Sequence, residues 1–560
     1  MNRFTGEALP KFATGAILVW LVVAPLCFIV LAGMGLIDDQ FLRPWHKLTE
    51  DRRLGTVLKN TLLLAVSVTV AATIVGTLLA LAIERARLRW TGLLDTLLLV
   101  PIMVSPLVGA VAWVTLGRPQ TGFVNALWRT LSGSSGPLFS IYSFVGVALV
   151  ISLHLIPYVY LNVRSALQNV DGSMEEAAMV LGAGTLRTWT RITLPLVLPA
   201  TLSSALLVFV ITVETFSVVG LLGGPAGFVT LPFNIYLSIN LPPGDWGYAA
   251  LQGVLLIAMT GTLMLAYWWI VGAGGKYSTI GAKGFRHAGK TGGGIGVALG
   301  AVAWLYVAIA VLLPLAALTL QSFLGFATSR IDDMVFTLNN WTRLMGAPAF
   351  HRGLINTLLI GGVAATVAVA ISLFVAHMAV FEKLRSLDWL SSLPLAFPGI
   401  VLGMALVFMY SDSPVYGTVW VLILGYATQF LPFASRTLAA PMLQLERGVD
   451  EAGKTLGAYM WRRIFRISAP LNLTAVLGAW ILTFTRSIRE LNIAIFLCTP
   501  ATTVLPLLIW NYMEQGVFGL AATLSLVQVA VLIPIISFAQ YLGRRMRDRG
   551  MDDTALVRAT

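Results

Sequence analysis

Four charged residues stand inside stretches that are otherwise greasy. Glu214 sits in one stretch, and Arg486, Arg489 and Glu490 sit in another. A charge at membrane depth is costly and usually faces a cavity or a partner. Carboxylates and guanidiniums placed there either line and gate a path for polar solutes, or pair with each other and lock helices together. Both readings are open here, because aligning Phe209 with Phe484 sets Glu214 against Arg489. Bond-making chemistry has little to work with. His46, His154, His287, His351 and His377 are scattered without metal-ligand spacing and read as structural or surface residues. The two cysteines, Cys27 and Cys498, lie in or beside apolar segments, which argues against a disulfide framework or a cysteine zinc site. There is no G-x-x-x-x-G-K-[ST] phosphate loop, and the glycines after Lys290 read as linker. The chain is therefore expected to hold no metal or cofactor and to hydrolyse no ATP itself.

The elements that must position these charges follow from composition. Of 560 residues, 57% are hydrophobic and 11% charged, against about 25% charged in soluble domains. Stretches of about 20 apolar residues can each cross a bilayer as a helix. They run at 14–36, 57–83, 93–116, 141–163, 194–222 and 250–272, then 295–320, 354–380, 388–410, 417–438, 467–497 and 518–541. The expected fold class is therefore all-α and polytopic, with about twelve transmembrane helices in two six-helix halves. The first stretch is too long for a signal-peptide core and is expected to be retained.

A net charge of +12 raises nucleic acid as a partner. However, the basic residues form short clusters between apolar stretches, as the positive-inside rule describes. Arg85, Arg87 and Arg89; Arg187 and Arg191; Lys276, Lys283, Arg286 and Lys290; Lys383 and Arg385; Arg462, Arg463 and Arg466; and Arg544, Arg545, Arg547 and Arg549 all fall on one side of an alternating topology. That side is expected to be cytoplasmic, with both termini on it.

A polar motif occurs twice on the same side. Glu176-Ala177-Ala178 is followed by Gly182 and Ile192-Thr193-Leu194-Pro195; Glu451-Ala452-Gly453 is followed by Gly457 and Ile467-Ser468-Ala469-Pro470, each position 275 residues on. Ser173 and Glu176 have the spacing of a capping box, Gly182 suits a helix end, and Thr185 could cap a second short helix before Pro195 opens the next span. The second copy departs from the first, with Gly448 in place of Ser173 and Gly453 in place of Ala178, so the two loops need not couple equally. Other matches recur in order: Leu58-Lys59-Asn60-Thr61-Leu62-Leu63 with Leu354-Ile355-Asn356-Thr357-Leu358-Leu359, and Leu231-Pro232 with Leu505-Pro506. Pro101 and Pro106, and Pro394 and Pro398, sit in corresponding stretches, where they bend helices for packing or shape a gate.

The doubled motif resembles the EAA loop of permease subunits in binding-protein-dependent ABC importers. The resemblance covers nearly the whole chain and implies the type I importer (MetI-like) fold in fused form. It implies a first half at 1–272 with its loop at 171–195, a Gly/Lys-rich linker at 273–294, and a second half at 295–560 with its loop at 446–470. It further implies that Glu176, Ala177, Ala178 and Gly182, with Glu451, Ala452 and Gly457, dock two ATPase subunits that bind ATP-Mg. It also implies that a soluble or lipid-anchored binding protein delivers substrate from outside a bacterial inner membrane. The outward loops, 38–53 and 326–352, are too short to be that binding protein. The run through Glu214 to Gly224-Pro225-Ala226-Gly227 looks most like ferric-iron permeases. Thiamine, polyamine, phosphonate and sulfate relatives share the loop. A secondary transporter could also show duplicated halves, and a polytopic enzyme would need clustered reactive groups that the sequence lacks.

Overall fold

The computed structural model describes residues 2–37, 41–274, 293–326, 328–445, 447–535 and 537–538. The basic linker residues 276–290 and Arg544, Arg545, Arg547 and Arg549 lie outside the described residues. Helices satisfy their own backbone, which lipid requires, and one isolated β-bridge pairs Leu324 with Phe336.

In the first half α1 runs Ala8–Gly33, α2 Leu54–Arg85, α3 Thr91–Met103, α4 Pro106–Gly117 and α5 Phe144–Gln168. Then come α6 Gly172–Val180, α7 Thr185–Val213, α8 Leu231–Asn240 and α9 Trp246–Tyr267. In the second half α10 runs Gly294–Phe323, α11 Pro348–Phe381, α12 Arg385–Ala396 and α13 Gly399–Tyr410. The chain continues through α14 Val419–Met442, α15 Arg447–Thr455, α16 Met460–Leu471, α17 Leu473–Ser487, α18 Leu505–Glu514 and α19 Phe518–Ile535.

Eight of these helices are long and apolar enough to cross a membrane, and three bent pairs pass that test jointly. Together they account for eleven of the twelve apolar stretches. The twelfth is α14, whose 24 residues extend about 36 Å at 1.5 Å per residue and include Gln429 and Arg436.

Three stretches expected as single spans are sharply broken. α3 meets α4 at 98°, α12 meets α13 at 104° and α16 meets α17 at 89°. Proline accounts for the first two, because the residue before it is pushed out of the helical region. Ser105 and Phe397 are both extended. The third break falls at Asn472, whose side chain donates to Ser468 O at 2.9 Å.

Proline also shapes helices without ending them. Five π-turns, Val19–Val23, Trp189–Thr193, Val219–Gly223, Ala308–Leu312 and Ile464–Ser468, each finish two residues before a proline. Proline donates no N–H and crowds the carbonyl four residues back. A wider i→i+5 turn just ahead of it relieves that conflict.

The duplication is visible in hydrogen bonds. Thr61 Oγ1 accepts from Leu231 N at 2.9 Å, and Thr357 Oγ1 accepts from Leu505 N at 2.8 Å. Asn60 donates to Val229 O at 3.1 Å, and Asn356 to Thr503 O at 3.0 Å. In each half the Asn-Thr pair fixes the start of the short helix, α8 or α18, against the long one.

The halves interleave. Leu18 of α1 packs on Val375 and Leu431 of the second half, and Leu21 and Val22 pack on Phe397. Reciprocally, Tyr306 of α10 donates to Leu153 O in α5 at 2.8 Å. Each half's first helix thus leans on the other half.

Candidate functional site: paired loops and a charged cavity

At the Arg-rich end, α6 is capped by Asp171, whose carboxylate accepts from Ser173 N at 3.0 Å. This corrects the expected capping box: Ser173 lies inside the helix and the cap is two residues earlier. α6 ends as expected at Gly182, with φ +84°, Gly182 N bonded to Met179 O and Ala183 N to Ala178 O, both at 3.0 Å. The second loop repeats this closure, with Gly457 at φ +77°, Gly457 N bonded to Lys454 O and Ala458 N to Gly453 O. Gly184, not Thr185, precedes the next helical turn. That turn is not a separate helix, because it runs without interruption into α7, and Pro195 sits within the helix behind its π-turn rather than opening it.

The residues that hold the loops were not singled out by sequence. Glu176 and Ala178 are half-buried, and Ala177, Glu451 and Ala452 are exposed. One position earlier, Glu175 and Asp450 are buried. Glu175 accepts from Arg85 Nε at 3.0 Å and from Thr193 Oγ1 at 2.9 Å, while Arg85 Nη2 donates to Leu167 O at 3.1 Å. Four elements, α2, α5, α6 and α7, therefore meet on one buried ion pair.

The second loop keeps the buried acid at the same place but takes its arginine from a different element. Arg463, wholly buried in α16, donates to Asp450 Oδ2 at 2.5 Å and to Glu382 Oε1 at 3.3 Å. Glu382, just beyond α11, also binds Lys454 at 2.7 Å and Lys11 at 3.0 Å. His377, read from sequence as structural or surface, is fully buried here, with Nδ1 3.1 Å from Ser468 Oγ and Nε2 3.5 Å from Asp450. The arrangement also explains Gly453: a Cβ there would meet Ile467 Cδ1 at 3.0 Å and the Arg463 stem at 3.3 Å. The first loop has the shorter Thr188 at the position of Arg463 and keeps alanine. The signal for Glu175 and Asp450 was present, as an acid conserved at the same 275-residue offset beside the motif glutamate.

Burial pushes the Glu382 carboxyl up, but hydrogen bonds from Lys454 and Lys11 outweigh it and hold the group at about 2. A carboxylate depressed on folding stabilises above its unfolded value and loses that contribution as pH falls toward its folded value. The second loop should therefore loosen as pH drops from about 4.3 toward 2. Hydrogen exchange of residues 447–458, corrected for the intrinsic rate, should quicken over that window.

Deeper in the bundle, Glu214, Arg486, Arg489 and Glu490 all line one cavity of about 200 Å³, together with His154 and Tyr158 of α5 and residues at the α3–α4 break. Glu214 is the residue that ends α7. Its Oε1 has no hydrogen-bond partner, and it makes no ion pair with Arg489 among the described residues. Arg489 instead donates to Ile102 O at 2.6 Å, Val104 O at 3.4 Å and Thr485 O at 2.9 Å. The reason is local: Pro106 stands four residues after Ile102 and has no N–H to give, so the carbonyl is stranded. Arg486 lies over the Phe433 ring, 3.8 Å from its centroid. Glu490 Oε1 accepts from Ile493 N at 3.2 Å. The backbone around Arg489 is pinned by Gln528 bonding Ile488 O at 3.0 Å and Tyr426 bonding Glu490 O at 3.2 Å.

A model of the binding-protein-dependent transport system inner membrane component family matches residues 72–272 and again 368–548. The chain belongs to that family. The two matched segments each contain one of the paired loops and one of the two charged helix ends, which is the doubled arrangement of a fused permease. A ferric transport system permease of Actinobacillus pleuropneumoniae is 28% identical over 87% of this chain and 71% of its own length. A second such permease, from Haemophilus influenzae, is 24% identical over 94% of this chain and 97% of its own. A putative 2-aminoethylphosphonate transport system permease of Salmonella paratyphi A is 24% identical over 44% of this chain and 95% of its own. The protein is thus a multi-pass permease of the ABC importer class, a translocation subunit rather than an enzyme.

Proposed function

We propose that this permease moves ferric iron inward by alternating access, driven by ATP that two separate ATPase subunits bind with Mg and hydrolyse. The Arg-rich end is cytoplasmic in this reading, with both termini on it, in a bacterial inner membrane. The ATPases dock on α6 and α15, and a binding protein loaded outside delivers the cargo. ATP-driven closure of the ATPases pushes α6 and α15. Because α6 is fused through Glu175 to α2, α5 and α7, the push reaches helix ends that line the charged cavity. A bistable bundle biased from both faces is all that alternating access requires.

The observation that carries this reading is the pair of closed, buried-charge-anchored loops at one end of a bundle whose charges converge on one cavity. Iron is favoured by the ferric permeases, which align over most of the chain. The phosphonate relative aligns over one half, and Arg486 and Arg489 at the cavity would suit an anionic cargo, so phosphonate is the second reading.

The test is ATPase activity of the full chain in nanodiscs with its ATPase and binding protein, the latter empty, loaded with ferric iron, or loaded with phosphonate or thiamine. Stimulation by the iron-loaded form alone is expected. Stimulation by another cargo alone overturns iron and keeps the class. Gly182→Val with Gly457→Val should abolish ATPase association, since each valine is forced into a left-handed backbone at about 1–2 kcal/mol. Unchanged association would overturn the docking role.

A further inference from the structure

We propose that the Arg-rich end carries a built site for an acidic phospholipid headgroup, between the α2–α3 turn and the start of α10. The proposal needs only that the protein lies in a membrane, and is independent of the cargo.

α1 and α10 correspond, because Pro25 and Pro314 each follow a π-turn in the same position. That register sets Lys11 against Gly300. Lys11 reaches across to Glu382 beside the second loop. At the matching place in the other half there is no such side chain, and a Cβ on Gly300 would meet Leu88 Cδ2 at 2.8 Å. What replaces the ion pair is a groove of about 450 Å³ lined by Arg87, Arg89, Trp90, Val297 and Trp304 around Gly300.

The chemistry of the groove is one-sided. Arg89 supplies a guanidinium, which recognises phosphate by paired donors, and Arg89 and Trp90 are exposed. Among the described residues no carboxylate lines it. Trp90, held at φ +64° and 69% exposed, and Trp304 flank the groove. Tryptophan is enriched at the membrane–water interface, and basic pockets between membrane helices hold anionic headgroups. Val297, Trp304 and Leu305 are exposed along one face of α10, seven and eight residues apart, which gives an acyl chain a track to follow. A free anion would need the guanidinium but neither the tryptophans nor this apolar track.

The experiment is native mass spectrometry of the purified full chain titrated with phosphatidylglycerol or with phosphatidylcholine of the same acyl chains. One phosphatidylglycerol should be retained above the phosphatidylcholine level. Arg89→Gln should weaken retention about fivefold, the effect of one basic residue near an anionic surface. Val297→Glu, at an exposed position, should weaken it at least as much, and Val297→Leu should not, with melting temperatures measured alongside to show that all three variants fold. Equal retention of the two lipids, or undiminished retention by Arg89→Gln and Val297→Glu, overturns the proposal. Displacement by glycerol phosphate at the same concentration also overturns it, because the site would then be one for a free anion.

Discussion

Glu175→Ala should destabilise the protein by about 3–5 kcal/mol, the cost of leaving one member of a buried ion pair without its partner. Arg85 is 4% exposed and Glu175 is 2% exposed, so water cannot rescue the stranded guanidinium. The loss would be read as a fall in the melting temperature of the full chain in detergent and in ATPase association, since α6 would lose its attachment to α2 and α7. The double variant Arg85→Met with Glu175→Leu separates the two effects. Replacing both charges by apolar groups of similar size is often neutral for stability. Melting should therefore recover in the double variant. Coupling should not recover fully, because Thr193 and the Leu167 carbonyl would still lack their partners. A Glu175→Ala protein that melts and couples like the parent would show that the ion pair is not what holds the loop.

This result bears on the two loops unequally. The first rests on a single pair, while the second is tied through Glu382 to Lys11, Lys454 and Arg463. Without Asp450, Arg463 still has Glu382 at 3.3 Å, whereas among the described residues Glu175 is the carboxylate that Arg85 pairs with. The same substitution at Asp450 should therefore cost less than at Glu175, although Asp450 is equally buried.

The fold was legible because its determinants are periodic and local: twelve apolar stretches, basic clusters between them, and a motif repeated at a fixed offset. The closing glycines were legible too, since a left-handed backbone at Gly182 and Gly457 is a property of the residue itself. What sequence did not yield depends on distant partners. Nothing in the neighbourhood of Glu175 announces Arg85, which lies 90 positions earlier. The alignment of Glu214 with Arg489 suggested an ion pair because corresponding positions in a duplicated chain invite it. A duplicated position, however, is related by the internal symmetry and need not be a contact. The guanidinium went to the stronger local demand, a carbonyl that Pro106 leaves without a donor.

Arg489→Ala should cut transport at least about tenfold. In the structure the residue closes the α3–α4 break from the opposite half, with its backbone pinned by Gln528 and Tyr426. Hydrogen bonds from a charged donor contribute about 1.5–3 kcal/mol. If the tie exists in only one of the two access states, losing it shifts their ratio by the same free energy, about tenfold or more. Melting should fall as well, because Ile102 O and Val104 O lose their donor. Arg489→Lys discriminates the roles. It keeps the positive charge beside Glu214 and Glu490, yet an ammonium cannot serve Thr485 and Ile102 together in the planar fork of a guanidinium. If charge alone matters to the cargo, lysine restores transport. If the tie across the break matters, lysine restores part of the melting temperature and little of the transport, which is the expected outcome. Proteoliposome uptake measured with calorimetry on the same preparations decides between them, and parental values for both in Arg489→Ala would exclude Arg489 from the path and from the joint.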